Sequence, residues 1–98
     1  MTDAPAPPPV AEDTVVRFLR GTRLQHDRVR DQWVIQAPER AFIADPIAAE
    51  ILRLVDGTRP VAAIIDILAQ RFAAPRPVIA HDVLEMIASL AQRQVLTA

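Results

Sequence analysis

Two histidines, His26 and His81, each followed directly by an aspartate, are the residues of this chain that first raise metal chemistry. A zinc site takes three or four ligands, so both imidazoles would have to meet carboxylates from distant segments. Cysteine is absent, which removes thiolates from any such set and disulfides from the core. The expectation is that His26 flanks a turn, that His81 lies on the surface near a helix start, and that no metal is bound. Nucleophilic catalysis has less to draw on. Ser89 is the single serine and falls mid-helix, with nothing in the pattern to bring a base and an orienting acid beside it. Glu39, Asp45, Glu50 and Asp82 suit capping and solvation better than paired acid and base work. Gly21 and Gly57 are the only glycines, too few for a phosphate-cradling loop. The chain reads as a non-enzyme, with no catalytic residue and no cofactor.

Recognition remains, and two kinds compete. The cations are all arginines, spread from Arg17 to Arg93 among twelve acids, and the formal net charge is -1. No basic stripe forms that would neutralise a phosphate backbone. A DNA-reading helix near the C-terminus should display arginine, lysine, asparagine or glutamine. The exposed positions there include His81, Asp82, Glu85 and Gln92, with Arg93 only at the end, so nucleic acid is the alternative rather than the preferred partner. Peptide recognition needs less: a short strand at a sheet edge leaves unpaired donors and acceptors that an extended peptide completes, its side chains entering an adjacent apolar groove. Residues Ala41 to Ala44, beside the last helix, offer that arrangement. Phe42, Ile43, Val83, Met86 and Leu90 read equally as ordinary core, and Met86 as groove-liner or gap-filler.

The elements that position these residues follow from punctuation and periodicity. Arg17 to His26 suits an extended entry and a first strand, bent at Gly21. Asp27 to Asp31 is a polar connection, Gln32 to Gln36 a second strand carrying Trp33, Val34 and Ile35, and Ala37-Pro38-Glu39-Arg40 a turn. Ala41 to Ala44 is a short third strand. Asp45 followed by Pro46 starts a first helix, with Ile47, Ile51, Leu54 and Val55 on its buried face and Gly57 as its stop. Thr58 as cap and Pro60 open a second helix carrying Val61, Ile64, Ile65, Leu68 and Phe72. After a break at Ala74 to Pro77, a third helix from about Val78 to Arg93 carries Ile79, Val83, Met86, Ile87 and Leu90. Val95 and Leu96 add a final contact or short strand. The fold class is α+β: a three-stranded antiparallel sheet followed by a three-helix cluster, close to a winged helix-turn-helix.

At 98 residues, 51% hydrophobic and 23% charged, this is one small domain rather than two. Residues 1–13, with the proline cluster Pro5 to Pro9, read as a flexible tail, with a tether or a proline-motif ligand as the other readings, and 14–98 as the domain. No apolar run is long enough to span a bilayer, and the N-terminus lacks the basic start and apolar run of a signal peptide. The expectation is a cytoplasmic protein with no membrane partner.

The stretches Gly21-Thr-Arg-Leu, His26-Asp27, Ala37-Pro38-Glu39-Arg40, Ile51-Leu52, Asp56-Gly57-Thr58 and Asp82-Val83, in this order and spacing, resemble the PqqD family of pyrroloquinoline quinone biosynthesis. The resemblance runs from Arg17 to Leu96. Two departures stand out: the connection from Arg28 to Gln32 lacks the expected glycine, and Gln36 and Gln94 replace a usual Leu and Gly. The resemblance implies a RiPP recognition element, a winged-helix-like peptide chaperone that binds the precursor peptide PqqA and presents it to the radical SAM enzyme PqqE without catalysing anything itself. It further implies backbone pairing at Ala41, Phe42, Ile43 and Ala44, a groove of Val83, Met86, Ile87 and Leu90, and Arg40 set to meet acidic peptide residues. Exposed edges also leave room for a homodimer, including one that exchanges segments.

Overall fold

The computed structural model describes residues 10–98; the proline cluster Pro5 to Pro9 lies outside them. The order is β1 (Arg17–Phe18), β2 (Arg23–Asp27), β3 (Gln32–Ala37), β4 (Arg40–Ile43), α1 (Pro46–Leu52), α2 (Val61–Phe72), α3 (Arg76–Gln92) and β5 (Leu96–Thr97). Strands β2, β3 and β4 form an antiparallel sheet in that spatial order, and β1 pairs with β5 separately. The expected α+β arrangement of three strands and three helices is what forms. Its core gathers Ile35 from the sheet, Ile51 and Leu52 from α1, Ile64, Ile65 and Leu68 from α2, and Val83, Ile87 and Leu90 from α3.

The hairpins need left-handed residues, and the sequence supplies them without glycine. Asp31 closes the β2–β3 connection at φ 51°, where a glycine was expected, while Asp27 accepts from the Val29 and Arg30 amides. Pro38-Glu39 joins β3 to β4 with Glu39 at φ 64°, the left-handed value that a type II turn, though not a type I turn, takes at its second central residue. Gly21 does need its missing Cβ: its φ is +81°, and a Cβ would stand 3.1 Å from Pro38 Cγ.

Helix α1 begins as its sequence dictates, with the Asp45 carboxylate accepting from the Ile47 amide at 2.8 Å and Pro46 in the first turn. It ends sooner than expected, at Leu52, so Gly57 does not stop it. Leu54 and Val55 lie past the helix in tight turns, half-buried against the core. The Asp56 carboxylate shapes the loop by accepting from the Thr58 and Arg59 amides. Thr58 is therefore not the cap of α2. That helix starts behind Pro60 with no side-chain cap, and its first free donors go elsewhere: the Val61 amide donates to the Thr14 carbonyl at 2.9 Å and the Ala62 amide to that of Glu12 at 2.8 Å. Residues 12–14, divided above between tail and domain, form a strap that caps α2. Arg76 holds the strap, donating to both Glu12 carboxylate oxygens and to Asp66 at 2.6 Å.

Two helices end in paired terminal hydrogen bonds. In α2 the Ala74 amide reaches the Ala69 carbonyl with Ala73 at φ 51°; in α3 the Val95 amide reaches that of Leu90 with Gln94 at φ 61°. Gln94, the departure from the family pattern, thus occupies the position that favours glycine. Gln94→Gly is expected to raise stability by about 1 kcal/mol, the cost of holding an L-residue left-handed. Chemical denaturation checks it, and a loss of stability would count against the strain.

The strap also makes stability depend on pH. Hydrogen bonds from Arg76, helped by its charge, hold the Glu12 carboxyl below the usual carboxylate range, and amides of Thr58 and Arg59 do the same for Asp56. A carboxyl whose pKa is lower in the folded state contributes stability that is complete above the unfolded value and lost as pH falls through the folded one. The urea midpoint should therefore drop below about pH 4. Glu12→Gln should flatten that drop while Asp56 retains its share; an unchanged profile would mean that the strap is released in solution.

Candidate functional site

Strand β4 pairs with β3 on one side only. Its register sets Ala37 against Arg40, Gln36 against Ala41, Ile35 against Phe42 and Val34 against Ile43. One further bond identifies which groups are spent: the Ala44 amide donates to the Trp33 carbonyl at 2.8 Å. In an antiparallel ladder the hydrogen-bonded pairs alternate, so Phe42 and Arg40 also face β3. The amides and carbonyls of Ala41 and Ile43 consequently point away from the sheet. Side chains alternate on the other axis: Phe42 is half-buried and Ala44 buried with Ile35, whereas Ala41 and Ile43 are exposed, Ile43 at 63%.

Arg40 opens this strand and ties it to the end of α3. Its Nη2 donates to the Arg93 carbonyl at 2.6 Å and lies 3.5 Å from that of Gln94. These are carbonyls that a helix terminus leaves without intrahelical partners. The Arg93 guanidinium in turn lies 4.5 Å from the Phe42 ring centre, and that of Arg40 5.7 Å. Among the described residues, Nε and Nη1 of Arg40 have no protein acceptor.

On α3 the four expected groove residues divide. Val83, Ile87 and Leu90 are 2%, 0% and 1% exposed and belong to the interior. Met86 is half-buried and reaches the surface, and Val83 touches it only as part of a cavity wall. The separation is a matter of helical phase: Ala80, Val83, Ile87 and Leu90 follow the core-facing stripe, while Asp82, Glu85, Met86 and Ser89 lie on the adjacent one. This second stripe, with Ile47 of α1, lines a shallow cavity of about 410 Å³. A second cavity of about 450 Å³ shares Ile47 and Asp82 and continues between the helices to Leu68, Phe72 and Ile79. Periodicity put Ile47 and Phe72 on buried faces, yet they are 57% and 54% exposed. Both sit at helix ends, where the face that the interior covers has run out.

The groups weighed above for chemistry lie apart. His26 Nε2 is 3.1 Å from Asp31 Oδ1 beside the Trp33 ring, and His81 Nε2 is 3.0 Å from Glu85 Oε2 on α3. Among the described residues no three His, Asp or Glu side chains gather as metal ligands, and no helix is long and apolar enough to cross a membrane. Ser89 is exposed on the groove stripe. The arrangement offers outward backbone groups beside an apolar, acid-flanked groove, which is chemistry of recognition.

The chain is similar to known proteins. Residues 32–96 match the family described as "Coenzyme PQQ synthesis protein D (PqqD)". The "PqqA binding protein" of Gluconobacter oxydans (strain 621H) is 57% identical over 96 residues, covering 98% of each chain. The solution structure of the PqqD truncation of Methylobacterium extorquens PqqCD, described as a functional and stand-alone RiPP recognition element, superposes with a TM-score of 0.78 at 43% identity, over 91% of this chain and 95% of that one. TbiB1, solved in complex with the TbiA(β) leader peptide, shares the fold at a TM-score of 0.70 and 18% identity, over 82% of this chain and 93% of that one. With a matched profile over most of its length and a relative this similar end to end, the chain belongs to the PqqD family.

Proposed function

We propose that this protein is a non-catalytic peptide chaperone of pyrroloquinoline quinone biosynthesis: it binds the precursor PqqA by adding it as a strand to β4 and presents it to the radical SAM enzyme PqqE. The observation that carries the reading is the open side of β4, where Ala41 and Ile43 direct their backbone groups outward. The names of its relatives, PqqA binding proteins, support the choice of peptide. Main-chain pairing supplies affinity that tolerates sequence, and side-chain pockets supply selection. Phe42 and Ala44 back the pairing strand from the core side. Met86 is the α3 residue that meets the guest, Val83 walls the groove, and Ile87 and Leu90 act from behind by keeping its floor in place. Arg40, with Nη2 engaged on α3, offers its remaining donors to an acidic peptide residue.

Presentation then acts through effective concentration, since an ordered peptide delivered by a bound carrier meets the enzyme intramolecularly. A micromolar complex, about -8 kcal/mol, is within reach of one short added strand and a few buried side chains after ordering costs.

Proline tests the strand directly, because it is tolerated where its missing N–H would have faced away from the ladder. Ala41→Pro and Ile43→Pro should keep a native circular dichroism spectrum and weaken calorimetric binding of synthetic PqqA at least about tenfold, the loss of a backbone bond and its geometry. Phe42→Pro, which removes a bond to β3, should instead unfold the sheet. Full affinity in folded Ile43→Pro would rule out strand addition at this edge.

A second pair separates groove from core on α3. Met86→Asp should remain folded and bind PqqA poorly, whereas Ile87→Asp should fail to fold, because it buries an unpaired charge. If Met86→Asp folds and binds normally, the α3 side of the site is misassigned.

A further inference from the structure

The cavity bounded by α1, α2 and α3 lies beyond the β4 edge, and of its lining residues only Val83 enters strand addition there. Pro46, Ile47, Leu68, Phe72, Ile79 and Val83 make its walls apolar, and Glu50 and Asp82 stand at its margins. Its volume of about 450 Å³ falls in the range of roughly 300 to 1,000 Å³ typical of ligand sites. Two exposed large side chains, Ile47 and Phe72, flank it, and isolated exposure of this kind becomes informative when it borders a concavity.

Position in the fold says what fills it. Arg40, at the start of β4, contacts the C-terminal end of α3, while Ile47, just past the end of β4, shares cavity walls with Asp82 and Met86 farther toward the N-terminal end of that helix. Strand β4 and α3 therefore run in opposite directions side by side. A guest strand that follows β4 beyond Ile43 comes to Ile47, and from there the two cavities are continuous through Ile47 and Asp82.

Charge narrows the occupant further. Glu50 is neutralised by Arg71 at 2.6 Å and Arg53 at 3.6 Å, and Glu85 lies against His81. Asp82 has no ion-pair or hydrogen-bond partner among the described residues, and it stands on the wall that both cavities share. An exposed carboxylate at the junction favours a cationic neighbour and disfavours an acidic one.

We propose that this cavity is an anchor site for the segment of bound peptide lying beyond the added strand, taking one aliphatic or aromatic side chain with a Lys or Arg next to it in sequence on Asp82. The inference rests on the peptide-binding reading above and assigns that peptide a second point of attachment, outside the β4 edge. Two-point attachment explains why a carrier with so short an edge strand would hold one extended peptide in one register. Backbone pairing alone leaves two-residue slips open, and a side chain in a pocket removes them.

Titration of the full chain with fluorescein-labelled synthetic PqqA tests the anchor. Ile47→Ser and Phe72→Ser alter side chains that are more than half exposed, so the fold should persist, and each should weaken binding about tenfold, as loss of one buried apolar contact implies. Asp82→Lys should weaken it about fivefold and reduce its salt dependence. Val29→Ser, on a turn residue 95% exposed, should change nothing. Methyl resonances of Ile47 and Ile79 should shift on peptide addition, a readout that no variant is needed to obtain. If Ile43→Pro abolishes binding while Ile47→Ser, Phe72→Ser and both methyl signals are indifferent to peptide, the anchor is refuted and strand addition stands. If Ile43→Pro also binds normally, both readings fall. Substitutions that change only the sedimentation of the free protein would assign the cavity to a second copy and likewise overturn the proposal.

Discussion

A strand paired on one side only has to be held from that side, and in this domain that constraint falls on four residues. Strand β4 spans only Arg40–Ile43, too short to be rigid by its own ladder. It is fixed at its far end by the bond between the Ala44 amide and the Trp33 carbonyl. At its near end Arg40 reaches 53 residues along the chain to the carbonyl of Arg93. That second contact couples the sheet to the terminus of α3, so strand and helix are spaced by a charge-assisted hydrogen bond as well as by packing.

The helix contributes through its phase. Because Val83, Ile87 and Leu90 are interior, α3 cannot roll to present a different face without exposing its largest buried side chains, each worth about 1.5 to 3 kcal/mol of burial. The adjacent stripe of Asp82, Glu85, Met86 and Ser89 is thereby fixed toward the groove. That stripe is acidic and thioether-bearing and holds no arginine, which also describes why a third helix in a winged-helix-like position here is ill-suited to lie against phosphates.

Local chemistry was legible in the sequence, and long-range satisfaction was not. The Asp45-Pro46 helix start, the turn at Pro38 and the short edge strand, which runs Arg40–Ile43 where Ala41 to Ala44 was expected, each follow from residues that are neighbours in the chain. The cap of α2 comes from the carbonyls of Glu12 and Thr14, some fifty residues away, and no local pattern announces it. The same holds for β1 and β5, two residues each, which exist only because Arg17–Phe18 and Leu96–Thr97 meet across the fold. Left-handed Ala73 and Gln94 were hidden for another reason, since the conformation is imposed by the helix termination and merely tolerated by the residue. At the site, the edge strand could be located from spacing, but the apolar band on α3 was too broad to say which of Val83, Met86, Ile87 and Leu90 form the seam. Only the packing partner distinguishes a core position from one beside it.

An open edge flanked by Ile43 and Ile47 is also a route to aggregation, and the chain limits that risk with the residues that define the site. The strand is short. Pro46 follows it within three residues and has no donor with which to extend the ladder, and Arg40 places a cation at its start. The opposite edge, β2, carries exposed Arg23, Gln25 and His26, polar side chains that offer a pairing strand main-chain bonds but little apolar burial. The two edges thus differ in the apolar surface they set beside a guest. Under the proposed strand addition, preference for β4 follows from that difference and needs no special property of its backbone, because main-chain groups provide affinity at either edge and only the β4 side adds the apolar surplus.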